Sequence, residues 1–245
     1  MRPLLRWAGL SLAAVLALQL FFVFRIAIMA RVNPQSTTFE RSEAWRLATQ
    51  RGSFSWRQEW MPYARISEHL KRAVIASEDD GFSNHDGIDW DAMEKAWQKN
   101  TRAEVQAARK PAGVASKGTA RGARVVGGST ITQQLAKNLL LSGERTLLRK
   151  GQELVLTWLL ESLLGKQRIL EIYLNSVEWG EGVFGAEAAA QHYYRKPAAR
   201  LNTFEAARLA VMLPRPKYFE KLPNSSYLAE RAAIIGARMG TAVLP

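Results

Sequence analysis

An uninterrupted apolar run near the N-terminus most constrains how this chain folds. Between Leu4 and Phe24 the sequence reads LLRWAGLSLAAVLALQLFFVF, in which Arg6 is the one charged residue. As a helix the run extends about 31 Å, at ~1.5 Å per residue, which matches the thickness of a bilayer's hydrocarbon core. It is apolar on every face, unlike a helix that packs one stripe against a core. We therefore predict a transmembrane anchor over residues 1–30.

A cleaved signal peptide is the competing interpretation of this run. Signal peptides normally have an apolar region of ~7 to 15 residues followed by a small-x-small cleavage site, and neither feature fits cleanly here. The orientation of the anchor stays open, because Arg2 and Arg6 precede the run and Arg25 and Arg31 follow it.

The composition of the 245 residues indicates a globular domain attached to this anchor. With 47% hydrophobic and 23% charged residues, the chain can bury a substantial core and is not disordered. It has no cysteine, which excludes disulfides, thiolate zinc ligands and thiol nucleophiles. The net charge of +12 points to an anionic partner: nucleic acid, a membrane surface or a phosphorylated substrate.

Beyond the anchor the patterns are helical, and no β-alternation is convincing. Residues 31–60, with an Asn33-Pro34 break, are predicted to form a membrane-proximal linker, and residues 61–245 the main folded domain of a mainly α protein. Predicted helices are the segment that ends in IASED, and residues 89–108, 129–141, 146–164, 166–175, 185–194, 203–213 and 228–239.

One interruption of the helical pattern is strongly basic. Residues 99–124 carry seven basic residues and one acidic residue, so that they hold +6 of the net charge. Their Gly, Ala, Ser and Lys offer little to bury, and we predict a mobile basic insertion. It is either a solvated loop or a segment attracted to lipid headgroups or phosphates.

Three acidic residues end the first predicted helix of the domain. A carboxylate at a helix C-terminus is opposed by the macrodipole, which raises its pKa and suits a carboxyl placed there to general-base work if a substrate reaches it. The alternative for Glu78-Asp79-Asp80 is an exposed acidic turn capped by Gly81. His85 alone is more typical of a structural, hydrogen-bonded histidine.

The segment GGSTITQQLAKNLLL predicts a helix with one buried and one polar face. Ile131, Leu135 and Leu139 recur every four residues as the buried stripe. Beside the helix N-terminus, the polar face could hold a phosphate and sugar hydroxyls, although the Gly-Lys-Ser/Thr ending of a P-loop is missing. The alternative is an amphipathic helix facing water. The polar residues are Thr130, Gln133, Gln134 and Lys137.

The segment RKGQELVLTW places two basic residues on one helix face with Glu153. Arg149 and Lys150 precede Glu153 by four and three residues, so one of them would keep it ionised. The alternative is a surface salt bridge worth only ~0 to 1 kcal/mol. Leu154, Val155 and Trp158 are predicted to face the core. In the following ILEIYLN segment, Tyr173 and Asn175 are candidates for more than an architectural role.

Five motifs, taken in order along the chain, resemble those of the family 51 glycosyltransferases, which polymerise bacterial cell-wall precursor. The motifs are AVIASEDDGFSNHDGIDW, GGSTITQQLAKN, RKGQE, ILEIYLN and LAVMLPRP. The resemblance is to the monofunctional members, since no transpeptidase domain follows and one N-terminal span precedes. It implies a lysozyme-like helical fold, lipid II and the growing glycan strand as partners, and a periplasmic catalytic domain on the inner membrane. Nucleic acid is not an expected partner, and cell-wall synthesis proteins are left open.

The resemblance also implies roles for individual residues. Glu78 corresponds to the general base and Glu153 to the second active-site glutamate. Substrate-binding positions are Lys95 at the donor side, Ser129, Thr130, Gln133 and Gln134 along the lining helix, Lys137 and Arg145 at the diphosphate, and Lys150 of the RKGQE motif. Two departures stand out: Gly81 occupies a usually basic position, and the basic segment before Gly127 is long.

The implied reaction is an inverting transfer that releases undecaprenyl diphosphate. No cofactor is evident. A divalent cation, Mg²⁺ or Mn²⁺, on the diphosphate stays open as an alternative, although no recognisable ligand set encodes it. Two other functions compete: a lysozyme-like hydrolase that cuts the same polymer with paired carboxylates, and a non-catalytic, membrane-tethered basic binding protein.

Overall fold

The computed structural model of the chain describes residues 2–50, 56–108, 128–141, 143–144 and 146–245. Within them the protein is mainly helical, and each helix predicted for the catalytic domain is present with its ends within two residues of the prediction. The helices are α1 (Arg2–Met29), α2 (Thr38–Gln50), α3 (Glu68–Glu78), α4 (Trp90–Ala108), α5 (Ile131–Leu140), α6 (Leu147–Leu163), α7 (Lys166–Ser176), α8 (Ala186–Tyr194), α9 (Thr203–Met212), α10 (Pro216–Phe219) and α11 (Ser226–Arg238).

A small three-stranded sheet is present that the sequence patterns did not indicate. Its strands are β1 (Arg57–Gln58), β2 (Glu178–Gly180) and β3 (Val183–Phe184), in the order β1-β3-β2. β2 and β3 are antiparallel, and β1 pairs in parallel with β3. Strands of two or three residues are too short to show an alternating pattern, which explains why they were missed.

The core of the catalytic domain forms where helices from distant parts of the chain meet. α3 packs against α9 and α11, and α5 packs against α6 and α7. The predicted stripe of α5 is confirmed, because Ile131, Leu135 and Leu139 are all buried. The C-terminus of α3 and the N-terminus of α5 meet where the Asp79 carboxylate accepts a hydrogen bond from the Ile131 amide.

α2, within the predicted linker, is folded onto the catalytic domain. Its Leu47 is buried, and the Thr38 hydroxyl donates to the carbonyl of Leu139 in α5 (3.1 Å). The buried Glu40 carboxylate accepts hydrogen bonds from the Thr37 amide (2.6 Å) and Gln58 Nε2 (2.9 Å). Burial raises the pKa of Glu40 to about 7. The division into anchor, linker and domain stays a prediction.

α1 is long and apolar enough to cross a membrane, and its C-terminal part contacts the domain. Phe22, Ile26 and Met29 are buried, whereas most of the preceding helix is exposed. The side-chain amides of Gln19 and Gln152 donate to each other, at 3.0 and 3.2 Å. The C-terminal part of α1 is thus fastened to α6.

One apolar face of α6 is exposed, and the prediction for it was wrong. Leu154, Val155 and Trp158 lie on the outer face instead of the core, with Trp158 63% exposed, and Leu147 is 92% exposed. Both faces of this helix are apolar, so its pattern could not show which one is buried. The core contacts come instead from Leu156, Leu159 and Leu160.

The basic insertion predicted over 99–124 is helical in its first part. α4 continues to Ala108, with the Thr101 hydroxyl donating to the Trp97 carbonyl (3.0 Å). Residues 99–108 therefore belong to the helix predicted over 89–108 and not to the predicted mobile insertion, because they contain no Gly or Pro to end the helix. Residues 109–124 of the predicted insertion lie outside the described residues.

Candidate active site

A cavity of about 190 Å³ lies where α3 ends and α5 begins. Glu78, the last residue of α3, lines it together with Ser129 and Thr130. Glu78 is half-buried, and its Oε2 accepts a hydrogen bond from Gln134 Nε2 of α5 (2.9 Å). The carboxylate is therefore held in place at the wall of an accessible cavity.

The environment of Glu78 favours the protonated form of its carboxyl. Burial raises its pKa above the ordinary 4.5, the nearby charge of Asp79 raises it further, and the hydrogen bond from Gln134 opposes both. The direction predicted from the sequence is confirmed. Its main cause is burial, whereas the sequence reasoning had invoked the helix macrodipole.

The orientation of Gln134 is set by Tyr173 of α7. The Tyr173 hydroxyl donates to Gln134 Oε1 (3.0 Å), so the amide nitrogen of the same side chain faces Glu78. Tyr173 is fully buried, and burial raises its pKa well above 10, which keeps the hydroxyl a donor. Asn175, the other residue singled out in this segment, instead pairs with both backbone polar groups of Met61.

Asp79, immediately after Glu78, fastens the two helices that form the cavity. Its Oδ2 accepts from the Ile131 amide at the start of α5 (2.9 Å), and its Oδ1 contacts His85 Nε2 (2.8 Å). The Gly87 amide donates to His85 Nδ1 (3.1 Å), so the proton of a neutral imidazole is on Nε2, facing Asp79. The sequence patterns did not predict this cluster, although Asp79, His85 and Gly87 lie close together in the sequence.

Gly87 is required by its backbone conformation and by its neighbours. Its φ is +86°, and a Cβ there would lie 2.7 Å from Thr157 Cγ2 of α6. Its carbonyl accepts a hydrogen bond from the Thr130 hydroxyl (2.6 Å). The loop after α3 is therefore bound to the start of α5 by two hydrogen bonds, one between Asp79 and Ile131 and one between Gly87 and Thr130.

The residues at the start of α5 that were predicted to line the substrate site have different roles in the structure. Thr130 and Gln133 are buried and form a reciprocal capping box at the helix start, so their side chains are engaged with backbone amides. Ser129 is exposed at the cavity, and Gln134 reaches Glu78. Lys95 of α4 is exposed and does not line the cavity.

A second cavity, of about 470 Å³, lies near the other end of α5. Lys137 and Arg149 line it. The Glu153 carboxylate is buried and accepts hydrogen bonds from Arg149 Nη1 (2.9 Å) and Lys150 Nζ. The buried Glu153 carboxylate therefore pairs with two cations, the largely buried Arg149 and the half-exposed Lys150. Arg145 lies outside the described residues.

The two cavities lie at opposite ends of α5 and share no lining residue. Gln134, which contacts Glu78, precedes Lys137 by three residues and lies on the same side of the helix. Gln134 and Lys137 lie within one turn of helix, which rises ~5.4 Å. Glu78 contacts Gln134 at the first cavity, Glu153 pairs with Arg149 at the second, and Lys95 lines neither cavity.

Among the described residues, Asp79, His85 and Asp89 form a group whose ligand atoms lie within 4.8 Å of one another. Both Asp79 oxygens are already hydrogen-bonded, and Asp89 Oδ1 accepts from the Ala92 amide (2.8 Å). Mg²⁺ prefers a shell of free oxygen ligands. This donor set therefore fits a structural hydrogen-bond cluster better than a site for Mg²⁺ or Mn²⁺.

Comparison with known proteins identifies the family. A family model described as Transglycosylase matches residues 46–240. The chain belongs to the transglycosylase family.

Full-length relatives support this membership. Proteins named biosynthetic peptidoglycan transglycosylase include one from Burkholderia thailandensis, 53% identical over 248 residues, which cover 100% of this chain and 90% of the relative. One from Burkholderia orbicola is 52% identical, with 99% and 93% covered, and one from Burkholderia multivorans is 53% identical, with 98% and 92% covered. This transglycosylase is thus a glycosyltransferase enzyme, as the motifs predicted.

Proposed function

We propose that this chain polymerises lipid II into β-1,4-linked glycan strands and releases undecaprenyl diphosphate. The observation that carries the proposal is the half-buried Glu78 carboxylate with its raised pKa, oriented by Gln134 at the wall of an open cavity. The names of the relatives support peptidoglycan as the product class.

The stereochemistry of the proposed reaction requires a single displacement. The donor sugar is joined to the diphosphate in the α configuration and the product linkage is β, so one in-line attack by the acceptor 4-hydroxyl inverts the anomeric carbon. Glu78 accepts the hydroxyl proton as the new bond forms. General-base assistance of this kind contributes ~10² to 10⁴-fold to the rate.

The departing diphosphate needs fixed positive charge more than a proton, because it is stable as an anion. Lys137 and Arg149 line the second cavity and are suited to this role. Glu153 positions the Arg149 guanidinium through its hydrogen bond. We propose Arg145 and Lys150 as further cations of this side, and Ser129 as a contact for sugar hydroxyls.

The Glu78 carboxylate and the cations of the second cavity fit the two competing functions less well. A hydrolase acting on a sugar leaving group needs a carboxylic acid donor and does not use cations beside the leaving group. A basic binding protein does not need a carboxylate with a raised pKa. Family membership favours the glycosyltransferase over both.

We further propose that the catalytic domain lies on the periplasmic face of the inner membrane, with α1 as a single-pass anchor. The exposed apolar face of α6, including Leu147 and Trp158, is on the helix that α1 contacts through Gln152. Exposed apolar patches of this kind mark membrane or protein contacts. A site close to the bilayer suits a substrate whose lipid tail remains in it.

Glu78→Gln is the decisive test of the proposed function. Purified full-length protein in detergent is incubated with lipid-linked disaccharide, and glycan strands are resolved on a gel. We expect the rate to fall by about 10² to 10⁴-fold, because the base is lost. Glu68→Gln, an exposed glutamate at the other end of α3, is the matched control and should retain the wild-type rate. Polymerisation at the wild-type rate by E78Q would remove Glu78 from its role.

Thermal unfolding separates loss of the base from misfolding. Because the pKa of Glu78 is raised in the folded state, its ionisation destabilises the protein as pH rises above 4.5 through that pKa. E78Q avoids this cost and should unfold at a higher temperature than the wild type at neutral pH. An inactive variant that is also less stable would point to damage to the fold.

A further inference from the structure

A third cavity, of about 280 Å³, lies where the anchor meets the segment before α2. It is separate from both cavities of the candidate active site. Its lining includes two arginines and no acidic residue, and consists of Arg25, Ile28, Met29, Val32, Asn33, Pro34, Gln35, Ser36 and Arg41.

The two arginines differ in how they are held. Arg41 donates to the Ser36 carbonyl (3.1 Å), the Ser36 hydroxyl (3.0 Å) and the Thr38 hydroxyl (3.1 Å). Arg25 is half-buried, and no hydrogen bond or ion pair to the described part of the chain occupies its guanidinium. Its charged neighbour is Arg41. An anion between the two would relieve their repulsion and satisfy the donors of Arg25.

The position of Arg25 along the anchor indicates which anion it meets. Arg25 directly follows the apolar run that ends at Phe24, so it lies at the depth of the lipid headgroups at the catalytic-domain end of α1. Basic residues at this depth attract anionic lipids. Ile28, Met29 and Val32 in the same lining offer apolar contact to the glycerol and acyl part of such a lipid.

We propose that this cavity binds the phosphate of an anionic membrane phospholipid, with Arg25 as the principal ligand and Arg41 as the second. The site borders the proposed catalytic machinery. Arg41 donates to the Thr38 hydroxyl, which donates to the Leu139 carbonyl of α5, and Thr38 lines the second cavity. A bound lipid therefore stabilises the segment that joins the anchor to one wall of that cavity.

Native mass spectrometry of the full-length protein in neutral detergent tests this site. Phosphatidylglycerol is added in one arm and zwitterionic phosphatidylcholine in the other, and lipid adducts are counted. The wild type should retain phosphatidylglycerol in preference. Arg25→Gln should weaken its retention by about fivefold, the effect of roughly 1 kcal/mol per basic residue at a membrane surface. Arg25→Lys should recover a large part of the loss.

Arg31→Gln is the matched control, because Arg31 is exposed, lies six residues further on and does not line the cavity. It should bind like the wild type. Equal losses in R25Q and R31Q would mean diffuse charge attraction and would overturn the proposal, as would no loss in R25Q. Millimolar inorganic phosphate should leave the adduct in place, and displacement of the lipid by phosphate would overturn the assignment to a lipid.

Discussion

Replacing Asp79 by asparagine should uncouple the two helices that form the Glu78 cavity. The Asp79 carboxylate accepts from the Ile131 amide and from His85 Nε2, at 2.9 and 2.8 Å. Asparagine keeps one acceptor and replaces the other by a donor. If its oxygen stays on Ile131, its amide nitrogen faces the proton on His85 Nε2. If the proton moves to His85 Nδ1 instead, it faces the amide hydrogen of Gly87. Either the contact between residue 79 and His85 or the contact between His85 and Gly87 is therefore lost.

The cost follows from the burial of Asp79. Asp79 is 7% exposed, so a lost partner is not replaced by water. A hydrogen bond to a charged group contributes ~1.5 to 3 kcal/mol, and leaving a buried donor unpaired costs ~1 to 3 kcal/mol. We expect Asp79→Asn to lower the free energy of unfolding by about 3 kcal/mol, or the melting temperature by about 9 °C.

Thermal unfolding of the detergent-solubilised full chain measures this loss, with Asp80→Asn as the control. Asp80 is exposed and pairs with Arg238 (3.0 Å) at the surface, a contact worth ~0 to 1 kcal/mol. The polymerisation rate of D79N should also fall, by up to ~10²-fold if Glu78 moves by about 1 Å. If D79N and D80N melt at the same temperature, the reasoning about the Asp79 hydrogen bonds is wrong.

Two further predictions concern the orientation and titration of Glu78. Tyr173→Phe removes the hydroxyl donor that orients the Gln134 amide. In steady-state polymerisation assays kcat should fall about tenfold, equivalent to ~1.4 kcal/mol, with little change in KM. An unchanged kcat would refute the role of Tyr173. In a pH–rate profile, the wild type should lose activity as pH falls through the raised pKa of Glu78, at a pH above 4.5. In Y173F this loss should occur at still higher pH, because the hydrogen bond from Gln134 that favours the carboxylate is weakened. A loss of activity at or below pH 4.5, or one at the same pH in Y173F and the wild type, would contradict this account.

Local features of the molecule followed directly from the sequence. A helix long and apolar enough to cross a membrane was recognisable, because length and apolarity do not depend on any partner. The helices of the catalytic domain were predictable because their apolar residues recur with the helical period, as Ile131, Leu135 and Leu139 do in α5. The ordered motifs were enough to indicate the family. The role of Glu78 as the base, which the same motifs imply, stays a prediction.

The contacts of the candidate site needed the folded chain. Tyr173 and Gln134 are 39 residues apart in sequence, and neither motif shows that the tyrosine orients the amide that holds Glu78. Thr130 and Gln133 share the polar face predicted for substrate, yet they cap their own helix. A side chain's partner depends on which donors and acceptors packing brings within ~3 Å, and periodicity does not encode that.

The sequence by itself therefore determined the length and apolarity of α1, the helical register and the chemical identity of the proposed base. Tertiary structure decided which face of α6 is exposed, which polar residues are structural, and how Asp79 and Tyr173 support Glu78. The physical reason is the range of the interactions. Backbone hydrogen bonding and apolar periodicity act within a few residues, whereas burial, pKa and side-chain orientation arise where distant segments pack together.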